Sequence, residues 1–115
     1  MVDQTDQTST PPPTYDEVSS ICKGVLEEII GQNGYQHTEA VKWNEKIVAN
    51  ITEGLVGLGR QYKFCVSCII MQTGLGAGLN VASCCYWDKA TDHAFAYRWE
   101  SKAVITICNV FALAL

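Results

Sequence analysis

The sequence predicts an α+β domain: two N-terminal helices packed on one face of a four-stranded antiparallel sheet. Two observations predict it. Apolar residues recur at three- and four-residue spacing up to about residue 59, and at two-residue spacing from residue 62 onward. The helical and strand signals are segregated along the chain, which favours antiparallel strands with helices on one side. At 115 residues the expectation is one domain, large enough to bury a core without staples.

Residues 1–13 carry almost no apolar content and three consecutive prolines. They cannot offset the entropy of ordering, so they are expected to be a disordered tail, leaving 14–115 as the domain. Pro12-Pro13-Thr14-Tyr15 matches a Pro-Pro-x-Tyr pattern that WW domains bind. The stronger reading is a proline stop before a helix. Thr14 and Glu17 form a capping box, and Asp16 and Glu17 suit the positive end of a helix dipole. Val18, Ile21, Cys22, Val25, Leu26, Ile29 and Ile30 then make one core-facing stripe. Gly31 and the Asn33-Gly34 pair end it.

A second helix is expected from about His37 to Gly59. Its line is Val41, Asn44, Ile47 with Val48, Ile51, Leu55 and Leu58. Gly54 and Gly57 each cost about 1 kcal/mol relative to alanine. Either they let a neighbour approach closely or they mark fraying.

Tyr62 to Gln72 reads as a strand apolar on both faces, hence central. The link Gly74-Leu75-Gly76-Ala77-Gly78 exceeds a two-residue hairpin turn. It can fold back or cross to a second subunit. Next comes an uncharged strand, with Leu79, Val81, Ser83, Cys85 and Trp87 on one face and Asn80, Ala82, Cys84 and Tyr86 on the other, up to Asp88. Alone it is an aggregation hazard, so something must cover it: a sister subunit on one edge and a client peptide on the other. After a turn at 88–92, Phe95, Tyr97 and Trp99 form the aromatic face of a third strand, and Ala103 to about Leu113 the fourth.

Net charge is −4 and there is no Lys/Arg cluster, so nucleic acids and anionic membranes are poor partners. The apolar run 103–115 is too short for a membrane span of about 20 residues, and no signal-like stretch opens the chain. A soluble intracellular protein is the expectation. The eleven aromatic residues (three Trp, five Tyr, three Phe) are more than one small core hides, which favours an oligomer.

Six cysteines, at 22, 65, 68, 84, 85 and 108, lie in apolar periodic segments and are expected as reduced thiols. Cys65 and Cys68 stand three apart on a strand and so face opposite ways, unable to share an ion. The two histidines lack ligand spacing, so no metal or cofactor is expected. The glycines at 74, 76 and 78 lack a P-loop lysine and lead into a strand. Asp92-His93 has no activated nucleophile beside it, and Arg98 and Glu100 suit a surface ion pair. No enzyme activity is expected.

Asp16-Glu-Val-Ser19, Tyr35-Gln-His37, Trp43, Cys68-Ile-Ile-Met-Gln72, Gly76-Ala-Gly-Leu79, Ala82-Ser-Cys84, Trp87-Asp88, Thr91-Asp92, Arg98-Trp-Glu100, Lys102, Phe111 and Leu113 occur in order. On this set the chain resembles the Tctex-type dynein light chains from about Asp16 to Leu115. It departs from them in a link one residue longer before Gly76, in Asn80-Val81 for a common His-Thr, and in His93 for a glycine. Gln61 and Ala112 also replace a common proline and glycine.

The resemblance implies a homodimer, or a heterodimer with a paralogous light chain, in which the second strand is exchanged. Family members clamp a disordered segment of the dynein intermediate chain at that strand. The implied partner-binding residues are Asn80, Val81, Ala82, Ser83, Cys84, Cys85, Tyr86, Trp87 and Asp88, and Gly74 to Gly78 are the dimer link. The implied role is assembly and cargo attachment in the cytoplasm and on the cytoskeleton. The alternative is a cargo or regulatory adaptor outside that motor, or in a cilium, using the same edge.

Overall fold

The computed structural model describes residues 11–74 and 79–115. Helix α1 spans Tyr15–Ile29 and helix α2 His37–Val56. Strands β1 (Tyr62–Gln72), β2 (His93–Glu100) and β3 (Val104–Ala114) complete the order. The strands form one antiparallel sheet in the order β1-β3-β2. The expected α+β layering is present with three strands. The anticipated fourth, over 79–88, joins no ladder in the single chain. A strand is stabilised by its neighbours, and here no neighbouring strand reaches it.

The start of α1 follows from its capping box. The Glu17 amide donates to the Thr14 hydroxyl at 3.1 Å, and the Thr14 amide donates to the Glu17 carboxylate at 2.9 Å. Glu17 also takes a bidentate pair from Arg60, both bonds at 2.7 Å. Arg60 donates in addition to the Pro12 carbonyl at 3.1 Å, and Pro13 is buried. One guanidinium thus ties the segment after α2 to the first turn of α1. It draws the Glu17 carboxyl down to about 2, with the Thr14 amide assisting. The Pro-Pro-x-Tyr string is part of this start: Tyr15 is the first helical residue.

Val18, Cys22, Leu26 and Ile30 are fully buried, as the stripe requires. On α2 the buried line is Ala40, Trp43, Ile47, Ile51 and Leu55. Val41, expected on that line, is 51% exposed. The helix also stops at Val56 instead of 59, because Gly57 caps it and Gly59 turns the chain at φ 72°. Gly54 permits close approach: a Cβ there would meet Ile21 Cγ2 at 2.9 Å. It marks the α1–α2 crossing.

The helices cover one sheet face, α1 over β2 and α2 over β1. Phe95, Tyr97 and Trp99 point into this core with Val104, Cys108 and Val110. β3 is the central strand, and β1, expected centrally, lies at an edge. Its double-sided apolar character has another origin. Ile69 and Met71 share the outer face with their β3 partners Ile107 and Ile105, and all four are only half-buried. Phe111 and Leu113 extend the same patch. Among the described residues no helix covers this face.

Candidate functional site

The segment 79–86 has no regular secondary structure, belongs to no ladder, and is exposed at every position but Cys85. Leu79 is 43% exposed, Val81 37%, and Tyr86 completely so. Asn80, Ala82, Ser83 and Cys84 are exposed beside them. Leu79, Val81 and Ser83 lean over the outer sheet face at Arg98, Ile107 and Asn109. They enclose an open groove of about 490 Å³. Of the link, Gly74 adopts φ 82°, in the region that favours glycine, and 75–78 lie outside the described residues.

The far end of the segment is anchored. Trp87 packs edge-on against Phe111 of β3, with ring centroids 6.1 Å apart. The Asp88 carbonyl accepts from the amides of Thr91 (3.1 Å) and Asp92 (2.8 Å). The Asp92 carboxylate then bridges two elements, accepting from the Ala114 amide at 2.9 Å and from the Asp88 amide at 3.2 Å. The Ala114 bond, then the Asp88 amide and Thr91 hydroxyl, hold the Asp92 carboxyl below its usual range against its partial desolvation. Trp87 and Asp88, expected within the binding strand, are thus held against β3 and the 88–92 turn, at the root of the segment. An aspartate in a turn was legible in the sequence. Its grip on a strand end 22 residues later was not.

The remaining motifs separate in space. Asp92 turns to Ala114 and Asp88, while the His93 ring stands 6.4 Å from that of Tyr62. Cys65 is exposed and Cys68 faces the core, as a strand dictates. Among the described residues no group of three or more His, Cys, Asp or Glu could hold a metal ion. Arg98 and Glu100 pair at 3.3 Å on the exposed face. Among the described residues no helix is long and apolar enough to cross a membrane.

The groove sets the uncharged segment 79–86, in no ladder, against a sheet face where Ile107 lies between Arg98 and Asn109. This defines a class: an α+β domain of two helices on a three-stranded antiparallel sheet, with an unpaired segment beside the sheet. A family model described as the Tctex-1 family matches residues 13–113, and the chain belongs to that family. Its relatives include "Dynein light chain Tctex-type" of Drosophila melanogaster, 41% identical over 100 residues covering 87% of this chain and 89% of the relative. Human "Dynein light chain Tctex-type 3" is 34% identical over 100 residues, covering 87% and 85%. The Dictyostelium discoideum "Dynein light chain Tctex-type" is 35% identical over 97 residues, covering 84% and 86%.

Proposed function

We propose that the protein is a non-catalytic, dimeric light chain of a dynein motor that holds an extended segment of the dynein intermediate chain by β-strand addition. In this reading the ribbon 79–88 crosses to a second copy or a paralogue, carried by the link 74–78. It pairs with a free sheet edge there and offers its own outer edge, Asn80 to Tyr86, to the client. The observation that carries the reading is the part of the ribbon from Leu79 to Tyr86: eight residues, uncharged and in no ladder, beside a sheet face that no helix among the described residues covers. A second subunit would bury both. Two copies binding two segments of a paired client turn weak contacts into a stable assembly through effective concentration. The role belongs to the domain 14–115, at the cytoskeleton and in the cytoplasm.

Light scattering and calorimetric titration with an intermediate-chain segment test it. The expected result is a dimer at micromolar concentration that binds two segments. Ala82→Pro or Ser83→Pro, at the position whose amide faces the client, abolishes binding because proline cannot donate to the ladder. A monomer, or unchanged affinity in both variants, overturns it. A dimer that ignores the intermediate chain but captures other extended peptides marks an adaptor outside the motor.

A further inference from the structure

Three of the six cysteines meet in the core, from three different elements. Cys68 of β1 and Cys108 of β3 are direct register partners on the helix-facing side, with sulfurs 3.8 Å apart. Cys22 of α1 belongs to the same buried core beside Cys108. The two strand cysteines lie 40 residues apart in sequence.

The ladder fixes what kind of pair this is. Ala114 of β3 sends its amide to Asp92, on the β2 side, whereas the Ala103 carbonyl accepts from Thr73, at the end of β1. Backbone groups alternate sides along a strand, so those of Cys108 point to β2. The Cys68 carbonyl in turn accepts from the Asn44 side chain of α2 at 3.1 Å. Cys68 and Cys108 are therefore a non-hydrogen-bonded pair, the kind whose Cα atoms stand about 4.5 Å apart with side chains closest. That separation lies inside the range a disulfide spans without backbone movement, roughly 4.4–6.8 Å.

We propose that Cys68 and Cys108 are an oxidation site, where a peroxide-class oxidant joins β1 to β3 through a cross-strand disulfide. Cys68 is the point of attack because it is partly accessible, whereas Cys108 and Cys22 are fully buried. Its thiol sulfur displaces water from the peroxide and becomes a sulfenic acid. The Cys108 sulfur then attacks the sulfenic sulfur, forming the S–S bond and releasing a second water. Two thiols and one peroxide give one disulfide and two waters, with two electrons passing from sulfur to oxygen.

The reaction is slow. The neighbouring Cys22 favours the Cys108 thiolate, but the bond with Cys68 and burial outweigh it and push the thiol up to about 12. Cys22 is raised too, by Cys108 beside it and by burial. Thiolate is the reactive form, so the closing attack by Cys108 is the slow step and the bridge forms only on sustained exposure. The staple then closes a long loop across the sheet and is removed by a dithiol.

The test uses the full chain with Cys65→Ser and Cys84→Ser, which removes the most exposed thiols. After prolonged treatment with hydrogen peroxide, thiols are counted under denaturing conditions and disulfides mapped by non-reducing mass spectrometry. The expected result is loss of two thiols, a peptide pair joining Cys68 to Cys108, and a thermal midpoint raised by about 5 °C or more. Dithiothreitol reverses the shift. Cys108→Val, similar in shape, gives neither bridge nor shift and leaves a sulfenic acid at Cys68 that dimedone traps. A bridge from Cys22 to Cys108, or four thiols surviving unbridged, overturns the proposal.

Discussion

Thr106 sits on the inner face of the central strand, fully buried, and its hydroxyl has no hydrogen-bond partner among the described residues. Its register partners are Ile70 on β1 and Trp99 on β2, and Val104 and Cys108 flank it on the same face. A buried, unmade hydroxyl bond costs roughly 1–3 kcal/mol. Thr106→Val exchanges that hydroxyl for a methyl of similar size and keeps the β-branch, so rotamer and strand preference are unchanged. The expected gain is about 1–2 kcal/mol, or roughly 4–8 °C in midpoint for a domain of this size. Thr106→Ser keeps the hydroxyl and removes the methyl, so it should lose about 1 kcal/mol. Differential scanning calorimetry at one fixed protomer concentration measures both, because dimerisation would otherwise move the midpoint. A Thr106→Val protein less stable than wild type would refute the reasoning, since it would mean that the hydroxyl was already satisfied.

Gly54→Ala should destabilise by about 1–2 kcal/mol although alanine is the better helix former, because the new methyl would overlap the stiff, β-branched Ile21. In urea melts, pairing it with Ile21→Ala should cost less than the sum of the two single changes. Glu17 has its pKa lowered in the fold, from 4.5 to about 2, so the unfolded chain binds the extra proton between those values. The stability from the Arg60 clasp is therefore complete above about pH 4.5 and lost as pH falls toward 2. Urea midpoints of Glu17→Gln should show a flatter acid limb than wild type, and parallel limbs would dissociate the clasp from acid sensitivity. Asp92→Ala should free the root of the ribbon, raising amide exchange at Ala114 roughly tenfold. Unaltered exchange there would mean that another group holds the strand end.

The helices were readable because their determinants are local. Thr14 and Glu17 are three residues apart, and the stripe from Val18 to Ile30 repeats on one face. The α2 line was harder. Val41 and Ala40 both fit a helical period, and only the packed sheet decides that Ala40 turns inward. β1 was legible in extent but misread in position, since an apolar outer face looks in sequence like a second covered face. The ribbon's alternation and lack of charge were visible. That it finds no partner in its own chain depends on register and connection, which no local pattern encodes. Cys68 with Cys108, Arg60 with Glu17, and Asp92 with Ala114 all join distant residues, and each is a product of the topology.

Strand order has a consequence for synthesis. β3 holds both other strands, yet it is the last of the three to be made. While a ribosome translates this chain at about 5–20 residues per second, α1 and α2 can emerge and pair through Gly54 and Ile21. β1 and β2 must wait, with their greasy flanks bare, until Val104 and the residues after it leave the exit tunnel. A nascent chain stalled before that point would hold a helical hairpin and no sheet, and would be a natural client for chaperones.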